Sequence, residues 1–187
     1  MFRCPLPPDA ELRLFQVRHA EDMFALITRN RERLDQWMRW TAKIQSVQDT
    51  EALIQRMLNK YANNDGFHAG ICLNGQLVGG MACRGINWDA RESEIGYWLT
   101  EEAVGHGLAS RASRATLEYL FDELQLNRVE IRAAVDNTRS RAVAERIGFQ
   151  LEGVLRQSDW ITTKYVDHAL YSILASDWRE LKAEGRS

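Results

Sequence analysis

The stretch ESEIGYWLTEEAVGHGLASRASRATLEYLFDELQLNRVEIRAAV, residues 92–135, decides the fold. Glu92 to Leu99 reads as a strand, and Gly96 within it predicts a bulge or the close approach of another backbone. The apolar period then changes. Leu108, Ala112, Ala115 and Tyr119 form one helical stripe and Leu117, Leu120, Phe121 and Leu124 a second, predicting a helix with a broad buried face that starts near Gly105. Arg128 to Val135 returns to strand character. A strand, a crossover helix and a second strand make a parallel pair. Ligands of such units bind outside the carboxyl ends of the strands, which directs attention to residues 97–110 and 133–140.

Outward from this unit, the remaining elements predict a mostly antiparallel sheet. Phe67 to Leu73 and Gln76 to Arg84 flank Asn74-Gly75, a dipeptide suited to a type I′ hairpin turn. Upstream lie a short strand over Leu12 to Val17 and a helix carrying Phe24, Ile27, Leu34 and Met38, which ends in the aromatic pair Trp37 and Trp40. A second helix, capped by Asp49, carries Leu53, Met57, Leu58 and Tyr61. Downstream, Asp136 or Asn137 caps a helix that stops at Gly148, and two strand-like runs follow, Phe149 to Arg156 and Asp167 to Ala175. The fold class expected is α/β, with a mixed, mostly antiparallel sheet.

Composition narrows the function classes. The chain of 187 residues is 45% hydrophobic and 27% charged, which suits one buried core, so residues 1–187 are expected to form a single domain. With 24 Lys+Arg against 26 Asp+Glu, there is no basic excess to attract nucleic acid directly. No apolar run reaches the roughly 18 residues of a membrane span, and Pro7, Pro8 and Asp9 interrupt any signal-peptide core, so a cytoplasmic protein is expected. Cys4, Cys72 and Cys83 are odd in number and lack Cys-x-x-Cys spacing, which points to reduced structural thiols. His19, His68, His106 and His168 have no metal-type neighbours at helical spacing, and no metal site is expected.

The chemistry concentrates at Gly105-His106-Gly107-Leu108-Ala109-Ser110. The first-turn N–H groups of a helix lack helical partners and carry the positive end of the dipole, and glycines let a phosphate approach the backbone. A structural turn accounts for Gly-x-Gly equally well. The dinucleotide fingerprint is disfavoured because Ser110 replaces the third glycine and Thr100 to Val104 separate strand from loop. A P-loop lacks its Lys-Ser or Lys-Thr, and no Gly-x-Ser-x-Gly elbow exists.

Glu94-Ile95-Gly96-Tyr97-Trp98-Leu99, Gly105-x-Gly107, Leu126-Asn127-Arg128-Val129, Asp136-Asn137-x-x-Ser140-x-x-Val143-Ala144-Glu145-Arg146-Ile147-Gly148-Phe149 and Glu152-Gly153 together resemble the GNAT acetyltransferases, in particular the RimJ/RimL ribosomal-protein N-acetyltransferase branch. The resemblance runs from Met1-Phe2-x-Cys4 to Tyr171-Ser172-x-Leu174. One departure is Glu102, where the family usually has Gln or Arg three residues before the first glycine. It removes a side-chain donor but leaves the backbone N–H groups.

The resemblance implies the GNAT fold, with its parallel strand pair splayed at the cofactor site, and direct acetyl transfer from acetyl-coenzyme A to an amine in a ternary complex. It places Trp98, Leu99, Gly105, His106, Gly107, Leu108, Ala109, Ser110, Asn137 and Ser140 against the coenzyme, with Ser140 also protonating the leaving sulfur. Asn137 and Ser140 equally suit a helix cap and an ordinary first-turn residue. Asp159 falls where one RimL-type subgroup carries a carboxylate and is a candidate base, with Glu94 as the second candidate. Trp37, Trp40 and Trp160 are candidates for an acceptor groove, against the alternative of core or interface packing. Arg111 and Arg114 are candidates for coenzyme phosphates.

The acceptor expected is the N-terminal amine of a protein, a ribosomal protein beginning with Ser or Ala. A polyamine, an aminoglycoside or a toxic amine would use the same donor chemistry, and a non-catalytic acyl-coenzyme A-binding module is the rival of another class. A homodimer that completes the acceptor groove is an open expectation.

Overall fold

The computed structural model describes residues 3–185. The start motif therefore falls partly outside, since Met1 and Phe2 are not among the described residues. Eight strands form one sheet: β1 (Arg3–Leu6), β2 (Ala10–Leu14), β3 (Phe67–Leu73), β4 (Gln76–Asn87), β5 (Glu92–Leu99), β6 (Arg128–Ala134), β7 (Gln150–Ile161) and β8 (Lys164–Leu174), in the order β1-β2-β3-β4-β5-β6-β8-β7. All neighbours are antiparallel except β5 and β6. The helices are α1 (Ala20–Arg29), α2 (Arg31–Asp35), α3 (Val47–Ala62), α4 (Leu108–Glu118), α5 (Thr138–Arg146) and α6 (Ala175–Ala183). No helix among the described residues is long and apolar enough to cross a membrane.

The parallel pair is brief. β5 and β6 are in register only at Glu92–Arg128, Ser93–Val129 and Glu94–Glu130, after which the strands part. β5 stays paired to β4 as far as Leu99, and β6 stays paired to β8 as far as Ala134. The edges that face each other beyond Glu94 are thus open, and the fork between them is the splayed pair that the family resemblance implies.

Alternation along β5 divides the core. Ile95 and Leu99 join one buried cluster with Leu108, Ala112 and Leu117 of α4 and Ile131 of β6. Trp98 joins the other, with Met23 and Ile27 of α1 and Ile54 of α3. Helices therefore cover both faces of the sheet, α1 and α3 on one and α4 on the other. Each such large side chain, fully buried, contributes roughly 1.5–3 kcal/mol.

Several boundaries differ from those expected. In place of a strand over Leu12 to Val17, β1 and β2 form a hairpin, and Val17–His19 is a 3-10 turn. The prolines at 5, 7 and 8 mask β1, which is tolerable because it is an edge strand. The helix expected through Met38 breaks at Asn30, whose side-chain Nδ2 donates to the Leu26 carbonyl (3.0 Å) and whose Oδ1 accepts from Glu101 N–H (3.1 Å). The cap of α3 is Ser46, not Asp49. Its hydroxyl accepts from Asp49 N–H (3.1 Å), and the Asp49 carboxylate accepts from Gln45 N–H (3.0 Å), so Asp49 is the third residue of the helix reaching back.

The long helix starts at Leu108 rather than Gly105 and ends in a π turn over Tyr119–Glu123. β7 and β8 are longer than expected, and α6 was absent from the sequence expectation. Its Trp178 is 2% exposed and stacks on Phe121 (6.1 Å between ring centroids). At Gly96 the close approach comes from a side chain, because a Cβ there would lie 3.0 Å from Arg84 Nη2. The register irregularity falls instead in β4, between Cys83 and Ile86.

Candidate active site

A cleft of about 880 Å³ opens at the fork. Its walls are the carboxyl end of β5 (Tyr97, Trp98, Leu99), the loop and first turn of α4, the first two turns of α5, and the segment from Arg33 to Met38. This volume lies in the range of small-molecule sites. The fork supplies the floor, where main-chain groups on the parted edge of β5 lack a partner from β6.

The mouth is formed by the start of α4. Gly105 (φ +92°) and Gly107 (φ +69°) both take left-handed conformations, and Gly107 is the cap residue. A Cβ built on either would meet nothing within 4 Å, so the approach to the backbone is open. Arg111 N–H donates to the Gly107 carbonyl (3.0 Å), which closes the first helical bond. The N–H groups of Leu108, Ala109 and Ser110 precede it and have no acceptor within the helix. Their dipole favours an anion. Arg139 and Arg146 also line the cleft, and Arg146 reaches this end, its Nη1 donating to Ser110 Oγ (3.4 Å).

The opposite wall comes from α5. Asn137 caps it, its Oδ1 accepting from Ser140 N–H (3.2 Å). Ser140 Oγ lies 3.0 Å from the Tyr97 hydroxyl, which also donates to the Ser140 carbonyl (3.2 Å). Burial holds the Tyr97 phenol above its usual range, so it stays protonated at neutral pH. Arg33 Nη1 donates to the Leu99 carbonyl (2.6 Å), fixing the end of β5 against α2.

Of the residues expected to meet the coenzyme, all but His106 line the cleft. His106 is exposed, and its carbonyl accepts from Arg111 Nη2 (3.5 Å). Trp37 lines the cleft, whereas Trp40 packs edge-on against Trp98 (6.2 Å) and Trp160, 50% exposed, packs edge-on against Tyr165 (4.8 Å). Neither candidate base is on the cleft wall. Asp159 pairs with Arg39 (3.0 Å), and Glu94 pairs with Arg84 (3.0 Å) and Arg132 (3.5 Å) at the last rung before the fork.

Arg111 is committed to the β1–β2 turn, donating to the Pro7 carbonyl (2.6 Å) and to Asp9 (2.8 Å). Arg114 Nη2 donates to the Arg146 carbonyl (3.3 Å). Sequence reasoning passed over Tyr97, Arg139 and Arg146 as site residues. A signal for the two arginines existed, since Arg139 occupies the first turn of the same helix as Ser140 and Arg146 follows two turns on. Tyr97 stands at the carboxyl end of β5, within the stretch expected to meet a ligand, but its bond to Ser140 follows only from the fork, which lets β5 face α5.

The comparisons agree with this geometry. A sequence profile of the acetyltransferase (GNAT) domain matches residues 10–150. YdaF of Bacillus subtilis (strain 168) is 38% identical over 180 residues, covering 95% of this chain and 98% of its own. The ribosomal-protein-serine acetyltransferase of Escherichia coli (strain K12) is 32% identical over 162 residues, covering 87% and 90%. The crystal structure of RimL, a ribosomal L7/L12 alpha-N-protein acetyltransferase in complex with coenzyme A, superposes with a TM-score of 0.90 at 25% identity, covering 92% of this chain and 98% of that one. A forked parallel pair with an open helix N-terminus at its mouth, together with a profile match over most of the sequence, places the chain in the GNAT acetyltransferase family, in its RimJ/RimL branch.

Proposed function

We propose that this chain, acting as one domain in the cytoplasm, transfers the acetyl group of acetyl-coenzyme A to the N-terminal α-amine of a protein, most directly a ribosomal protein beginning with Ser or Ala. The observation that carries the reading is the fork at Glu94 with the open start of α4 at its mouth. The names of the relatives support the acceptor class.

The residues divide the work as follows. The N–H groups at the start of α4, with Arg139 and Arg146, hold the diphosphate. The parted edge of β5 binds the pantetheine arm and donates to the thioester oxygen as charge develops on it; one such donor is worth about a hundredfold in rate. The coenzyme supplies the activated acetyl thioester. Asn137 retains its side-chain nitrogen for the pantetheine arm while its oxygen caps α5. Ser140 gives its hydroxyl proton to the departing sulfur. Trp37 lines the acceptor side.

Asp159 and Glu94 are held by arginines outside the cleft, and Asp136, the acid on the cleft wall, is exposed. That arrangement suits an α-amine, about a tenth neutral at pH 7, better than a lysine side chain, which is neutral in well under about a thousandth of molecules. The released proton passes to water.

The test is thiol release from acetyl-coenzyme A with peptides beginning in Ser or Ala, the same peptides with blocked N-termini, a lysine-containing blocked peptide, spermidine and an aminoglycoside. Release only with free α-amines, and a peptide product one acetyl group heavier, is the expected result. Release with spermidine or the aminoglycoside alone overturns the acceptor class, and coenzyme binding with no release for any amine overturns the enzyme reading.

A further inference from the structure

β5 and α5 approach each other across the fork, and a single side-chain bridge joins their working residues. The last rung of the β5–β6 ladder is Glu94–Glu130, and Tyr97 lies three residues further, roughly 10 Å along the strand. There its ring reaches the first turn of α5 and meets Ser140 twice, at Oγ (3.0 Å) and at the carbonyl oxygen (3.2 Å). Both residues line the cleft.

The phenol has one hydrogen and two acceptors. When it serves the Ser140 carbonyl, the Ser140 hydroxyl satisfies itself by donating back to Tyr97, and its proton is engaged there. When it serves Oγ, the Ser140 hydrogen is released toward the cleft. Asn137 holds the backbone of Ser140 through its N–H (3.2 Å), so the choice of rotor rests with Tyr97.

We propose that Tyr97 is a positioning residue that aims the Ser140 proton at the leaving sulfur and restores it afterwards. The inference rests on the Ser140 role given under the proposed function. In the step, the acceptor nitrogen forms its bond to the acetyl carbon, the carbon–sulfur bond breaks with its electron pair going to sulfur, and sulfur takes the Ser140 proton. Ser140 takes the Tyr97 proton, and Tyr97 recovers one from water, which has received the proton lost by nitrogen. The balance is one proton lost by nitrogen and one gained by sulfur. Burial of Tyr97 disfavours a standing phenolate, so the group returns to its protonated form before the next turnover.

The test is a double-mutant cycle with Tyr97→Phe, which removes only the hydroxyl, and Ser140→Ala, measured with acetyl-coenzyme A and a Ser-initiated peptide. Tyr97→Phe is expected to lower kcat about tenfold with KM for both substrates little changed, and the double variant to turn over no more slowly than Ser140→Ala. A phenylalanine variant as fast as wild type overturns the inference. So does one that slows the Ser140→Ala enzyme by the same factor as the wild type, because Tyr97 would then act independently of Ser140. If Ser140→Ala is itself as fast as wild type, the Ser140 reading fails, and that failure is told apart from the others by the single variant alone. Unchanged melting temperature in Tyr97→Phe separates loss of aim from loss of fold.

Discussion

At the scale of single residues, the cleft separates side chains that motif position groups together. Ser140 and Asn137 stand on the cleft wall, but Asp159 is paired with Arg39 and is not on that wall. Ser140→Ala is expected to lower kcat by about a hundredfold with little change in coenzyme affinity, read from steady-state rates beside calorimetric binding. If, as proposed, water receives the amine proton, Asp159→Asn leaves the low-pH limb of the rate profile in place. A flattened limb would return Asp159 to the mechanism. The place of Asn137 and Ser140 at the start of α5 was legible from the cap signal, whereas a role toward the coenzyme came only from the family resemblance. The contacts of Tyr97 with Ser140 and of Asp159 with Arg39 were not legible, since these partners are distant in the chain and meet only through tertiary packing.

At the scale of elements, legibility followed local chemistry. The Asn74-Gly75 turn was readable because both residues need positive φ (+49° and +80°), and the strands beside it begin and end as expected at Phe67, Leu73 and Gln76. The break at Asn30 and the cap at Ser46 were misread because side-chain to backbone hydrogen bonds, not apolar periodicity, set those boundaries. α6 escaped because its buried face is short and centres on Trp178. The start of α4 is the element on which coenzyme binding depends. Gly105→Ala places a Cβ in a left-handed conformation at a cost of about 1–2 kcal/mol, and is expected to lower the melting temperature and weaken coenzyme A binding together. Calorimetric binding at the wild-type affinity would contradict a backbone cradle at that loop. Ser46→Ala, remote from the cleft, is expected to cost about 1 kcal/mol in urea unfolding without altering coenzyme affinity.

At the scale of the whole molecule, the mixed sheet and its parallel pair were legible from the order of periods alone, and the length of that pair was not. The pair ends after three rungs, with α4 and α5 packed on one face of the sheet and α1 and α3 on the other. The same burial leaves a pH signature. His68 on β3 is pushed down to about 4, chiefly by burial and further by Arg84 and Lys60. The unfolded chain, with an ordinary histidine near 6.5, therefore binds more protons than the native one between these values. Stability should fall as pH drops through this window, by up to about 1.4 kcal/mol per unit from this group. Urea midpoints across that range should show the slope, and His68→Asn should reduce it. Glu152, held down to about 2 by Arg128 and Ser172, acts lower, its contribution being lost as pH falls from 4.5 toward that value.

The most direct measurement is a crystal structure with coenzyme A bound. The account predicts the diphosphate on the N–H groups of residues 107–110 and the pantetheine arm between β5 and β6, with its sulfur beside Ser140. Coenzyme bound outside the fork, or a fork closed by rearranged side chains, would contradict it.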